Sequence, residues 1–287
     1  MILVTTAGKV GARTARTLAR GGEPVRVLMR DAERHRDLAE AGVQLLAGDL
    51  DDQDALRRAL DGVTAVVLVS PAVPAQEKAV IAAAAAAAVS FIVKVTSKAS
   101  SDSPIERRRG QTEIEEALQA SGIPHTLLRS NAYMQNFLVL APVIAATGAF
   151  ASSAADGRVG LIDADDVGDV AAAIVRSPEA HTGKTYWLTG PSLLSYSDVA
   201  DDLTAVLERT ITFSARTRDE DEAAQIDAGV PASIAAQNAK AFSLIADGDA
   251  EWLSEDVSTV LGRKARSFRE FVDTHAEAFA APVAPRP

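Results

Sequence analysis

The sequence predicts an α/β protein: a doubly wound parallel sheet with a smaller, mostly helical C-terminal lobe. Three observations predict it. Short apolar runs recur near residues 2–5, 25–29, 43–46, 65–69, 91–95 and 125–128. Helix-like segments separate them, at 10–19, 33–41, 54–60, 76–88 and 112–120. After that the alternation lapses and helical patterns dominate. Continuous apolar runs belong to strands buried on both faces. Strands alternating with helices imply right-handed βαβ units and a parallel sheet. Such a sheet takes its ligand outside the carboxyl ends of its strands.

The first strand runs into M-I-L-V-T-T-A-G-K-V-G. A Rossmann-like strand–turn–helix puts glycines here, so that phosphates can approach the backbone and the helix can approach the strand. Gly8 and Gly11 can serve those two needs, and the usual first glycine is absent. Asp31, after the second strand, can cap the helix near Glu33. Gly42, Gly62 and Gly122 each follow a helix and precede a strand, where a left-handed residue is wanted. The alanine-rich run 82–88 suits close packing of a helix on a sheet. Arg107 to Arg109 read as a solvated loop or helix start.

Beyond residue 130 a helix is expected at 132–145, a strand at 185–188 and a helix at 195–207. A short strand is expected at 210–213, and mostly helical chain at 218–247 and 254–279. The domains expected are a dinucleotide-binding unit, 1–130 with a sheet contribution from about 155–190, and a substrate-binding lobe, 131–154 and 191–280. The Pro/Ala-rich tail 281–287 is expected to be disordered.

Composition removes several classes of function. The formal net charge of −10 opposes a broad nucleic-acid surface, which needs clustered cations. There is no cysteine, so thiolate catalysis, disulfides and Cys-ligated metals are excluded. The four histidines, His35, His125, His181 and His275, stand far apart, and no metal site is expected. No signal peptide and no membrane-spanning run is visible, so a cytoplasmic protein without a membrane partner is expected. The oligomeric state stays open, a homodimer included.

The strand tips carry the candidate site. Arg30 follows the second strand, where a dinucleotide fold reads the adenosine ribose. Arginine there suits a 2′-phosphate, and an acidic residue such as Asp31 suits a free hydroxyl. NADPH is therefore favoured over NADH. The third strand leads to Asp49 and Leu50, the fourth to Ser70 and Pro71, the fifth to Thr96, Ser97 and Lys98. Hydroxyls and a lysine at strand tips suit ribose and phosphate. Ordinary short-chain dehydrogenases pair Tyr with Lys four residues on. Here Tyr133 is followed at that spacing by Phe137, Tyr186 by Gly190 and Tyr196 by Ala200. The dyad is absent, and no G-x-S-x-G replaces it.

Taken in order, V-T-T-A-G-K-V-G, V-R-V-L-M-R-D, A-G-D-L-D-D, V-L-V-S-P, I-V-K-V-T-S-K, E-I-E, S-G-I-P-H-T-L-L-R-S-N-A-Y-M-Q-N-F and Y-W-L-T-G-P resemble the NmrA-like atypical short-chain dehydrogenase/reductases. The resemblance runs from residue 1 to about 279. It implies a Rossmann domain, a smaller helical lobe and a substrate cleft between them. It places Thr6, Ala7, Gly8, Lys9 and Val10 at the pyrophosphate and Arg30 at the 2′-phosphate. Asp49 and Leu50 would lie by adenine. Ser70, Thr96, Ser97 and Lys98 would line the ribose and nicotinamide side. Pro71, Asn131, Tyr133 and Asn136 would meet a small-molecule substrate. Lys98 and Tyr133 are the candidate catalytic residues. Three positions depart from the family pattern: the missing first glycine, Ser130 in place of a proline, and Gln111 in place of a histidine. The reading is an NADPH-dependent reductase of a small conjugated or aromatic acceptor, such as a quinone, azo compound or dye. Two alternatives stay open: a non-catalytic redox sensor, and a cyclase or isomerase that kept the cleft without the redox step.

Overall fold

The structure, a computed structural model, describes residues 1–280; the expected disordered tail, 281–287, lies outside the described residues. The chain begins β1 (Ile2–Val4), α1 (Lys9–Arg20), β2 (Val25–Met29), α2 (Arg36–Glu40), β3 (Gln44–Ala47) and α3 (Gln53–Leu60). It continues β4 (Ala65–Leu68), α4 (Pro74–Ala86), β5 (Phe91–Ser97), α5 (Glu106–Ala120) and β6 (His125–Ser130). Then come α6 (Phe137–Thr147), β7 (Ala149–Ser152), α7 (Ala164–Arg176), α8 (Pro178–His181) and β8 (Thr185–Leu188). The last part holds α9 (Tyr196–Leu207), β9 (Thr212–Ala215), α10 (Arg218–Asp227) and α11 (Ala232–Ala246). It ends with α12 (Asp256–Leu261), α13 (Phe268–Thr274) and α14 (Ala276–Phe279).

These elements form two compact units. The first comprises Met1–Ser130, Ala164–Leu188 and Asp256–Arg263. Its sheet has seven strands in the order β3-β2-β1-β4-β5-β6-β8, and every pairing is parallel. Strand order reverses between β1 and β4, the switch point at which such sheets bind ligands. β1 and β4 are buried along their whole length, as continuous apolar runs require. One apolar layer joins Leu3, Val66 and Ile92 of the sheet to Leu56, Val80, Ile81 and Ile114 of the helices.

Local signals account for most boundaries. The Asp52 carboxylate caps α3 by accepting from the Asp54 and Ala55 N–H groups. Asp31 accepts from the Glu33 N–H, at the start of a 3-10 turn that leads into α2. Gly42, Gly62 and Gly122 take φ of 89°, 68° and 71°, the left-handed helix stop read from sequence. α5 starts at Glu106 rather than 112. Arg107, Arg108 and Arg109 extend it, since charged long-chain residues favour helix without supplying an apolar period. α1 meets α7 at Gly168, where a Cβ would lie 2.7 Å from Arg13 Cγ. Arg13 there pairs with Asp165 and Asp169, and Arg263 with Asp166 and Asp169.

The second unit comprises Asn131–Asp163, Thr189–Glu255 and the chain from Lys264. Its core is aromatic: Phe137 meets Phe150, Tyr196 and Phe268 edge-on. α9, α10 and α13 each begin with a capping box, Ser195/Asp198, Thr217/Glu220 and Ser267/Glu270. The strand expected at 210–213 appears as β9 and pairs in parallel with β7. Among the described residues no helix is long and apolar enough to cross a membrane.

Candidate functional site: the strand tips of the first unit

The switch point is laced by threonine. Thr5 Oγ1 donates to the Val69 carbonyl at 2.7 Å and accepts from the Val69 N–H at 2.9 Å. Thr6 Oγ1 donates to the same carbonyl at 2.9 Å. These bonds hold the chain leaving β1 against the chain leaving β4, so the turn forms without a first glycine. Gly11 is obligatory for a different reason: a Cβ there would lie 1.9 Å from the Thr6 carbonyl oxygen. Gly8, the N-cap of α1, is exposed, and a Cβ there would meet only Thr6 Oγ1, at 4.0 Å. α1 has no acidic residue in its first turn and no capping side chain. Its first N–H groups and positive dipole end therefore suit an anion. Thr6 and Ala7 are half-buried and Lys9 is exposed, whereas the Val10 side chain is in the core, leaving only its backbone for the turn.

Arg30 stands at the tip of β2 with its side chain 85% exposed, and its Nε lies 3.7 Å from Asp49 Oδ2. An exposed guanidinium at this strand tip has the chemistry of a 2′-phosphate reader. Leu50, placed beside adenine by the resemblance, is turned the other way. It is 5% exposed and packs with Leu28, Ala55 and Leu56, because an apolar side chain at the start of the β3–α3 connection seals the core.

Ser70 and Thr96 also point inward. Ser70 Oγ donates to Glu77 Oε1 at 2.5 Å, and Thr96 Oγ1 to Glu115 Oε1 at 3.0 Å. Each carboxylate has a cation on its other oxygen: Lys94 Nζ lies 2.6 Å from Glu77 Oε2, and Arg129 Nη2 pairs with Glu115 Oε2. Arg129 also lies over the Trp187 ring, 5.1 Å from its centroid. Lys94 and Glu77 are both fully buried. Burial pushes the Lys94 pKa down, opposed by the charges of Glu77 and Glu115. Sequence reading passed over Lys94, Glu77, Glu115 and Arg129 as site residues. The available signal was a lysine inside the apolar run F-I-V-K-V.

Ser97 and Ser130 are register partners at the last positions of β5 and β6. Both hydroxyl oxygens are buried without a hydrogen-bond partner, as is Gln111 Oε1 on α5. Buried polar atoms of this kind call for a partner. Ser97 therefore remains suited to a polar ligand, and Ser130 and Gln111 join it. Lys98 follows Ser97 and is half-buried; Pro71 is exposed.

The remaining candidates lie in the second unit. Asn131 is committed to the fold: its Nδ2 donates to the Ala250 carbonyl and its Oδ1 accepts from the Ala132 N–H. Tyr133 is half-buried in a parallel bridge with Ile162, and Asn136 is exposed. Tyr196 is unsuited to proton donation, because burial and the Asp221 charge push its pKa far up within the aromatic core. Tyr186, in the first unit, hydrogen-bonds His181 Nδ1 at 2.8 Å. Among the described residues no group of three His, Asp or Glu could hold a metal ion.

Comparison with known proteins agrees with this architecture. The chain is 34% identical over 285 residues to the NAD(P)H azoreductase of Xenophilus azovorans, covering 98% of this chain and 99% of that protein. It is 36% identical, with the same coverage, to the (4-alkanoyl-5-oxo-2,5-dihydrofuran-3-yl)methyl phosphate reductase of Streptomyces griseus. The crystal structure of the NADPH-dependent quinone oxidoreductase of Escherichia coli in complex with NADPH has a TM-score of 0.87 at 28% identity, covering 96% of this chain and 100% of that one. The model of the NmrA-like family matches residues 1–276. With a parallel seven-stranded sheet, a glycine turn at its switch point and that match across nearly the whole length, the chain belongs to the NmrA-like family.

Proposed function

We propose that this protein is a cytoplasmic NADPH-dependent reductase that passes hydride to a small conjugated or aromatic acceptor, a quinone, azo compound or dye. One observation carries the reading: the Gly8–Gly11 turn sits at the β1/β4 switch point with Arg30 exposed on the neighbouring tip. Its support is similarity over nearly the whole chain to an NAD(P)H azoreductase, and at 28% identity to an NADPH-complexed quinone oxidoreductase.

The residues divide the work by their chemistry. Backbone N–H groups from Thr6 to Val10 hold the pyrophosphate, and Arg30 exchanges its loose contact with Asp49 for the 2′-phosphate. Ser97 and Lys98 serve the ribose and nicotinamide side. When bound, NADPH supplies the hydride. The second unit is the substrate-binding lobe, with Tyr133 and Asn136 as its acceptor contacts. Lys98, Tyr133 or water supplies the proton. With no Tyr/Lys dyad, catalysis rests mainly on holding donor and acceptor together.

NADPH oxidation measured against a panel of quinones and azo and triphenylmethane dyes tests this reading. Turnover with NADPH exceeding that with NADH is the expected result. Tight binding with no turnover across the panel would turn the reading to a redox sensor. No binding of either cofactor would turn it to a cyclase or isomerase.

A further inference from the structure

The first unit fully buries an ion pair. Lys94 on β5 and Glu77 on α4 are both 0% exposed, with 2.6 Å between Nζ and Oε2. Taking two charges out of water is costly, and replacing such a pair by apolar residues of similar volume is often neutral or stabilising. The pair therefore calls for an explanation other than stability.

The explanation lies at its outer end. Glu77 Oε1 accepts the Ser70 hydroxyl at 2.5 Å, and Ser70 Oγ accepts the Ala72 N–H at 3.1 Å. Ala72 has φ of 64°, a left-handed conformation that a residue with a Cβ avoids unless its surroundings impose it. On the inner side Lys94 Nζ donates to the Val95 carbonyl at 2.7 Å, which fixes the ammonium to the β5 backbone. Hydrogen bonds on either side of the Lys94–Glu77 ion pair thus link β5 to a strained residue in the connection that leaves β4 at the switch point. Val69, which precedes Ser70, is held from the other side by Thr5 and Thr6.

We propose that Lys94 and Glu77 are positioning residues: they hold Ser70 and the left-handed Ala72 so that the β4–α4 connection is set to receive the dinucleotide. This inference rests on the reductase reading for its ligand. It also defines the chemistry of the contact. The single proton of Ser70 goes to Glu77, and one lone pair takes the Ala72 N–H. What Ser70 offers a ligand is its other lone pair, so its partner is a hydrogen-bond donor such as a ribose hydroxyl or an amide N–H. Thr96, Glu115 and Arg129 repeat the hydroxyl–carboxylate–cation order at the neighbouring strand tip.

Two variants test the proposal: Ser70→Ala, which removes the outer hydroxyl, and the double change Lys94→Met with Glu77→Leu. Hydrogen exchange at the Ala72 amide, measured without ligand, reads the positioning directly. NADPH titration and steady-state kinetics read its consequence. In both variants the Ala72 amide should exchange faster. NADPH affinity should fall about tenfold, the worth of a lost hydrogen bond, with the KM of the acceptor unchanged. The triple variant should be no worse than the poorer of the two, since the residues act as one chain. Ala72 exchange and NADPH affinity within about twofold of the parent in Ser70→Ala would overturn the proposal, whether or not the double variant folds. Restored binding in Ser70→Thr would support it. If the parent bound no NADPH, the reductase reading would fail, and Ala72 exchange would still decide the positioning role.

Discussion

Arg30 Nε lies 3.7 Å from Asp49 Oδ2, at the tips of two adjacent strands, with both side chains reaching solvent. The contact is too long and too exposed to contribute much to folding. It keeps a guanidinium near the ribose end of the proposed site without spending its donors. Arg30→Glu should lower NADPH affinity about ten- to hundredfold, as the loss of charge-assisted bonds implies, and should affect NADH much less. Calorimetric titration with both cofactors checks this; an undiminished preference for NADPH would remove Arg30 from the role.

Gly8 and Gly11 should separate binding from folding. Gly11→Ala places a Cβ 1.9 Å from a backbone oxygen, so it should cost about 1–3 kcal/mol of stability and disturb the turn. Gly8→Ala meets nothing in the protein nearer than 4.0 Å, so the thermal midpoint should hold while NADPH binding weakens. Melting curves beside titrations distinguish the two.

The proposed proton donors are Tyr133, Lys98 and water. If Tyr133 donates, Tyr133→Phe should lower kcat about hundredfold with little change in the KM of NADPH. Lys98→Met, through the ribose, should act mainly on that KM. Unchanged kcat in both variants would leave water as the donor.

Acid should weaken the first unit through His181. Burial first, and the charge of Lys184 second, hold its pKa below the ordinary 6.5. Between the lowered folded value and 6.5 the unfolded chain binds more protons. The contribution to stability is therefore complete above 6.5 and is lost as pH falls through the folded pKa. Urea midpoints at neutral and mildly acid pH should fall further in the parent than in His181→Gln.

In the second unit, Asp221 is 3% exposed and one of its oxygens accepts both the Ser153 N–H and the Ser153 hydroxyl at 2.9 Å. Asp221→Ala leaves the buried Ser153 N–H unpaired, while the Ser153 hydroxyl keeps the Ala239 carbonyl at 3.2 Å, and should cost about 1–3 kcal/mol, read from urea unfolding. Asp221→Asn, which keeps one acceptor oxygen, should cost less.

Much of this was legible before the structure. The alternation of apolar runs and helical segments carries the parallel sheet, because burial on both faces leaves its mark residue by residue. The helix stops at Gly42, Gly62 and Gly122 are local events, and so is the Asp31 contact with Glu33. Tip residues followed from the same pattern, since a strand's end fixes what stands just beyond it.

Side-chain direction was not legible at those tips. Ser70 and Thr96 turn to Glu77 and Glu115, and Leu50 turns to the core, because their partners arrive on helices and strands packed from elsewhere. The pairing of β7 with β9 was hidden for a similar reason: its two short strands are joined only by a long stretch of intervening chain. By itself, then, the sequence determined the order and kind of the elements and the place of the glycine turn, since these depend on local periodicity and local backbone sterics. The tertiary structure decided which hydroxyls remain for a ligand and why a lysine can lie in the middle of a sheet. Hydrogen bonding and charge pairing depend on which side chains packing brings within a few ångströms, and chain order does not record that.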